Sequence, residues 1–349
     1  MLHLIKGLIK CGQYEISVII PNDGPFWGYL EELNVKLIDI PVRTKSFRTM
    51  LKSISAFKGC KPDIIHTNGI AALFYGAVLK TLFKIKLIHT FHGFYIETFP
   101  FIKRISYLLL QSMIGTFCID YGIAVSESEK SYLLSKKLIP GRKLHLIYNG
   151  ANEPVDKGEV ELPPKGNDLI IGTVTKIHYQ KGIDILIKAV PFIEKFIKDF
   201  KILIIGTHTD NNLEYYEDTT LSIKKDKLAK KHVQLLGPQK NIAVWLDYFD
   251  IFISVSRWEG LPLSVLEAAL RKKLIVASDV IGNNEIVIDG ITGFLIRKLD
   301  GENIADTIVN AYNCKDKEQI TKNCYNYVTK KFSMDVMLSK HKELYITAR

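Results

Sequence analysis

Cysteine is scarce, with five in 349 residues. Cys11, Cys60, Cys118, Cys314 and Cys324 are odd in number and scattered, and no two form a CxxC pair. That argues against a disulfide framework or a thiolate zinc site and fits reduced cytoplasmic thiols. Long apolar runs are also lacking. None reaches the roughly 18–20 residues needed to cross a bilayer; the longest candidate, ISYLLLQSMIGTFCIDYG, is interrupted by Gln111, Ser112, Thr116 and Asp120. The opening MLHLIKGLIKCGQYE has neither a clean apolar block nor a small-residue cleavage site, so no secretory signal is expected. No GxGxxG follows a strand-like run, which argues against a dinucleotide dehydrogenase. Nothing resembles a helix-turn-helix or an RNA-binding aromatic pair. Internal repeats and low-complexity tracts are absent as well.

What is present is a globular composition, 47% hydrophobic, in a chain long enough for two domains. The net charge of +10 is unevenly spread: residues 1–150 hold 19 basic against 10 acidic residues, a surplus of nine. Such asymmetry points to an anionic partner for the first half, unless it is only a lysine-rich solvated surface. Aromatic and basic residues mix in LKTLFKIK (79–86) and FHGFYIETFPFIKRISYLLL (91–110), a pattern that suits anionic lipid headgroups.

Short β-branched runs alternate with helical patterns. The first half has EISVIIP, VKLIDIPV, PDIIHTN, KLIHTFHG, YGIAVSE and KLHLIYNG; the second has DLIIGTVTK, FKILIIGT, HVQLLG, DIFISVS, KLIVASD and GFLIR. This predicts two parallel-sheet α/β domains, with ligands beyond the carboxyl ends of the strands. A Pro-, Gly- and charge-rich stretch separates them. The expected boundaries are an N-terminal domain at 1–151, a linker at 152–167, a C-terminal domain at 168–330 and a final helix at 331–349 that packs back on the N-terminal domain.

The residues just after the strands carry the chemistry. Lys176 ends one strand and Lys181 stands before the next helix, where unpaired amides and the helix dipole attract anions. Together the two lysines would cradle a diphosphate. In SRWEGLPLSVLEAAL, Glu259, Gly260 and Leu261 lie at a helix mouth, and Glu267 lies more than a turn inside the helix. A carboxylate in such an apolar run is costly to bury unpartnered. It is ordinarily a satisfied core residue, but here it can accept two hydrogen bonds from a ribose diol. His92, in HTFHGFY, follows a first-half strand.

Taken in order, PDIIHTNG, HTFHGF, GIAVSESEK, LIYNGAN, GTVTKIHYQKGIDILIKA, VQLLG, DIFISVSRWEGLPLSVLEA and NNEIVIDGITGFL resemble the family-four retaining glycosyltransferases over nearly the whole chain. These enzymes have the type-B fold (GT-B), two Rossmann-like domains facing across a cleft. The resemblance implies a nucleotide-sugar donor on the C-terminal domain, with UDP favoured over GDP, and no separate cofactor or metal. Lys176, at a position usually held by Arg, and Lys181 would contact the diphosphate, with Gly260 and Leu261 beside them. Glu259 would lie by the sugar and Glu267 would bind the ribose. His92 would meet the sugar from the N-terminal domain. The expected reaction is retaining hexosyl transfer to a saccharide or lipid-linked saccharide in capsule, lipopolysaccharide or exopolysaccharide synthesis. It would take place in the cytoplasm, at the inner face of the membrane, without nucleic acid.

Three departures stand out. The chain opens directly in what resembles the family's first helix, so the first strand and its glycine-rich loop are expected to be missing. RKKLIV replaces the usual Gly-x-Pro turn after Glu267, and His208 stands where a second glycine is common. The alternative readings are a truncated, non-catalytic sugar-nucleotide-binding protein and a nucleotide-sugar epimerase on the same fold.

Overall fold

The computed structural model describes residues 1–44, 46–92, 100–156, 158, 160–208 and 212–349. The chain forms two units: Met1–Gly150 together with Met334–Arg349, and Ala151–Ser333. All twelve β-branched runs become strands. In the first unit these are β1 (Ser17–Ile20), β2 (Lys36–Asp39), β3 (Ile64–Asn68), β4 (Lys86–Thr90), β5 (Tyr121–Ala124) and β6 (Leu144–Leu146); in the second they are β7 (Leu169–Val174), β8 (Phe200–Ile205), β9 (Val233–Gly237), β10 (Ile251–Ser254), β11 (Leu274–Ser278) and β12 (Phe294–Ile296). Every pairing between them is parallel.

The second unit is one sheet in the order β12-β11-β10-β7-β8-β9. The core strands β7, β8, β10 and β11 are buried along nearly their whole length, as expected of a parallel sheet covered by helices on both faces. Ile171, Ile202, Ile253 and Val276 join Leu186, Val190 and Ile193 of the helix Ile183–Phe196 and Ile304 and Ile308 of the helix Gly301–Asn313 in one core. The Pro-rich stretch expected to be a linker is pinned to this unit. Tyr248 Oη donates to Pro163 O at 3.0 Å, and Lys165 Nζ meets Asp250 Oδ1 at 2.8 Å.

The first unit's strands divide into β1-β2 and β3-β4-β5-β6, so among the described residues β1 and β3 each pair on one side alone. Ser126 accepts from Glu129 N at 3.1 Å while Glu129 Oε2 accepts from Val125 N at 2.8 Å, a reciprocal cap that starts the helix Glu127–Ser135. The helix Met334–Ala348 packs on the helix Leu2–Cys11 and is tied to the sheet through histidine. His66 bonds Tyr345 Oη at 2.6 Å through Nδ1 and Thr90 Oγ1 at 2.7 Å through Nε2. His341 Nδ1 donates to Met337 O at 2.9 Å, and His89 Nδ1 bonds Thr67 Oγ1 at 2.9 Å.

Burial holds His89 at a pKa of about 3 and His341 at about 4, so both are neutral in the fold. An unfolded chain takes up those protons near pH 6.5, so stability is full above that value and falls as pH drops toward the folded values. The expected loss is roughly 1 kcal/mol per histidine by about pH 5.5. Urea unfolding at about pH 7.5 and 5.5 measures it. His341→Gln should be less stable at the higher pH yet lose about 1 kcal/mol less on acidification; an unchanged acid loss would contradict the assignment.

Candidate functional site

In the second unit's sheet the chain runs outward from β7 to β8 and β9, then returns to the other side of β7 as β10. The order therefore reverses between β7 and β10, and their following loops diverge. Open α/β sheets bind ligands at such a switch point. Lys176, Lys181, Glu259, Gly260 and Leu261 lie in these two loops, and Glu267 in the helix that follows the second.

The loops are stitched together. Arg257 N donates to Gln180 O at 2.7 Å, and Gln180 Nε2 donates to Trp258 O at 2.8 Å. The Arg257 guanidinium holds Asp184 through two bonds of 2.9 and 2.7 Å and lies 3.7 Å from the centre of the Tyr179 ring. Gly182 turns the chain into the helix Ile183–Phe196 with φ +67, and a Cβ there would strike the Val255 carbonyl oxygen. The loop after β11 joins through Ser278 Oγ, which donates to Ser256 O at 2.6 Å. Asn283 Nδ2 donates to Ser278 O and Oγ, each at 3.1 Å.

Within this frame the two glutamates have opposite surroundings. Glu259 is 7% exposed and engaged through one oxygen: Lys181 Nζ lies 2.5 Å from its Oε1, and Ser256 Oγ donates to the same oxygen at 2.6 Å. Lys181, expected at a diphosphate, is thus Glu259's ion-pair partner. Glu267 is half-buried, and its carboxylate makes no hydrogen bond or ion pair among the described residues. Burial alone raises its pKa to about 7. Gly260 and Leu261 lead from Glu259 into the helix Leu263–Leu270, with Pro262 at its cap. Glu267 is five residues into that helix.

Lys176 is exposed, two residues past β7, with no ion pair among the described residues. It and Lys181 converge electrostatically on His178, which burial first and then their two charges hold below its ordinary pKa. His92 belongs to the first unit, where its Nε2 bonds Asn68 Oδ1 at 2.8 Å. The residues 93–99 of the aromatic and basic stretch lie outside the described residues. The turn that departs from the family pattern places Lys272 in the left-handed region with φ 52, where its amide and that of Lys273 close the helix on Ala269 O and Ala268 O.

Sequence reading did not single out Ser256, Gln180, the Arg257–Asp184 pair or Asn283. The available signal was their place at the ends of apolar strand runs; their pairing is long-range and leaves no spacing to read.

Two units with all-parallel sheets, and a lysine-bearing switch point in the second, define a GT-B architecture. The fold matches that of Anabaena Alr3699/HepE, solved in complex with UDP-glucose, with a TM-score of 0.86 at 19% identity over 99% of this chain and 95% of that one. The chain belongs to the family-four, group 1 glycosyltransferases: the model described as "Glycosyltransferase Family 4" matches residues 1–153, and "Glycosyl transferases group 1" matches 168–314. It is 27% identical, over 97% of its length and 90% of the relative's, to the Escherichia coli UDP-Gal:alpha-D-GlcNAc-diphosphoundecaprenol alpha-1,3-galactosyltransferase. It is 25% identical to the Staphylococcus aureus capsular polysaccharide biosynthesis glycosyltransferase CapM, over 86% of this chain and 80% of that protein.

The unpartnered carboxylate has a measurable cost. With its folded pKa near 7 and an ordinary value of 4.5, Glu267 supports stability below its ordinary pKa and forfeits that support as pH rises through 7. Glu267→Gln is therefore expected to stabilise the ligand-free protein by roughly 2 kcal/mol at about pH 8, and by little at about pH 5. Denaturant unfolding at both values checks this. A variant less stable than wild type at the higher pH would mean that the carboxylate has a partner.

Proposed function

We propose that this glycosyltransferase moves a hexose from a UDP-sugar, with retained configuration and without a metal or other cofactor, to a saccharide or lipid-linked saccharide in surface-polysaccharide synthesis at the cytoplasmic face of the membrane. The observation that carries the reading is Glu267, a half-buried carboxylate with no partner among the described residues, in the loop-and-helix system of the switch point. A ribose diol would give it two hydrogen bonds and remove the cost of burying it alone. Lys176 and Lys181, both acting on His178, supply positive charge for a diphosphate. The starts of the helices Ile183–Phe196 and Leu263–Leu270 add their dipoles. Relatives support the donor and acceptor classes: one is named for UDP-Gal and a diphosphoundecaprenol-linked acceptor, another for capsule synthesis.

In the proposed chemistry the C1–oxygen bond to the diphosphate breaks while the acceptor hydroxyl attacks from the same face. The acceptor's proton passes to the departing diphosphate oxygen. Catalysis then rests on positioning and on charge stabilisation of the leaving group. Lys181 is shared between Glu259 and the diphosphate, so Glu259 fixes the lysine and faces the sugar. Gly260 and Leu261 lie beside the phosphates, and His92 is the first unit's contribution at the sugar, as the resemblance implies.

The test is transfer from UDP-galactose to GlcNAc-diphosphoundecaprenol, with other UDP- and GDP-sugars in parallel, in excess chelator and with the product anomer read by NMR. The expected result is an anomer matching the donor, formed without added metal. Lys176→Ala should raise the donor KM about tenfold, the loss of one charge-assisted contact. Glu259→Gln should lower kcat about 100-fold. An inverted product would refute retention, dependence on metal would refute the metal-free reading, and sugar conversion without acceptor would favour an epimerase.

A further inference from the structure

Glu259 is joined to a chain of buried polar groups drawn from the ends of β10 and β11 and from the short helix Asn283–Ile286 that follows. Asn283, the first residue of that helix, is fully buried, and Ser278 and Ser256 are 1 and 2% exposed. The bonds run one way. The Ser278 carbonyl oxygen can only accept, so it fixes the Asn283 side chain with its NH2 toward the end of β11. The same NH2 donates to Ser278 Oγ at 3.1 Å, and Ser278 Oγ donates its own proton to Ser256 O at 2.6 Å. Ser256 Oγ in turn donates to Glu259 Oε1 at 2.6 Å, the oxygen that also meets Lys181 Nζ. Asn283 thus reaches Glu259 through two serines.

A second route is backbone packing. Gly282 has φ +85, and a Cβ there would strike the Gly260 carbonyl oxygen. The residue before Asn283 is therefore pressed against the turn that follows Glu259. The Asn283 side chain ties this contact to the sheet, because it holds residues 279–282 against the end of β11.

Stability does not account for the asparagine. Its Oδ1 is buried with no hydrogen-bond partner among the described residues, an unfavourable state that the fold tolerates. Its neighbours do not depend on its NH2. Ser278 O also accepts from Val280 N at 2.9 Å, and Ser278 Oγ has its bond to Ser256 O. Leucine, with the same branching, would remove the unpaired oxygen and leave no other group of this chain unbonded. A polar group retained against stability marks a functional site.

We infer that Asn283 is a positioning residue for Glu259. Through Ser278 and Ser256 it sets the orientation of the carboxylate, and through Gly282 it sets the path of Gly260 and Leu261. The loop after β11 is then a third support of the site, beside the two loops that flank the switch point. The inference rests on the reading of Glu259 as the group that fixes Lys181 and faces the donor sugar.

The test compares wild type, Asn283→Leu, Ser278→Ala, Glu259→Gln and Asn283→Leu/Glu259→Gln in the UDP-galactose transfer assay, with denaturant unfolding and UDP calorimetry on each. Asn283→Leu should unfold at a denaturant concentration no lower than wild type. It should bind UDP within about threefold of wild-type affinity while kcat falls about tenfold. Ser278→Ala, which deletes only the middle hydroxyl, should lower kcat about threefold or more at similar UDP affinity. In the Glu259→Gln background, Asn283→Leu should cost less than about a further twofold, because the group it positions is already lost. A kcat within about twofold of wild type in both Asn283→Leu and Ser278→Ala would overturn the inference. So would a full tenfold loss in the Glu259→Gln background, which would mean action by another route. Lower stability with UDP binding and kcat falling together would make Asn283 a structural residue and overturn it too. Wild-type kcat in Glu259→Gln would instead overturn the reading of Glu259, and the inference with it.

Discussion

The reversal of strand order between β10 and β7 is the constraint from which the second unit's candidate site follows. Parallel strands deliver all their carboxyl ends to one edge of the sheet, and at the reversal the two flanking loops are carried away from each other by their helices. The loops must then be held by side chains. Arg257 on Asp184, Gln180 on Trp258 and Lys181 on Glu259 supply that hold. Each partner is about 75 residues from the other in sequence, as in the Lys181–Glu259 separation of 78, so the site exists only once the sheet has formed.

This arrangement separates two carboxylates that lie eight positions apart. Glu259, on the loop, is neutralised by an ammonium and a hydroxyl. Glu267, on the helix, is half-buried with no partner among the described residues, and burial raises its pKa to about 7. Two like groups with such different partners are suited to different roles. In the proposed mechanism one glutamate is preorganised for charge placement and the other waits for a ligand's hydroxyls. A site that is costly without its ligand is a common signature of binding energy held in reserve.

The fold was largely legible. Parallel strands buried on both faces are written as continuous β-branched runs, and every such run here is a strand. Lys176, Lys181 and Glu259 were legible as residues that follow strands for the same reason, and Glu267 as a carboxylate in an apolar helical run. What sequence could not supply was which of them touch. Lys181, expected near a phosphate, is also the ion-pair partner of Glu259, a long-range pairing that the sequence does not encode. The Pro-rich stretch read as a linker is bonded to the second unit through a lysine and a carbonyl oxygen, neither of which carries a periodic signal. The helix Phe101–Phe117 read as apolar; that its small and polar residues face inward depends on the close approach of Leu138, which no local pattern encodes.

The central proposal is that Glu267 takes part in binding a nucleotide donor. Titrating UDP into the purified chain by calorimetry, beside Glu267→Ala, tests it most directly. The account expects one saturable site in wild type, and affinity at least tenfold weaker in the variant, the equivalent of about 1.4 kcal/mol. UDP bound with equal affinity by both proteins would contradict it.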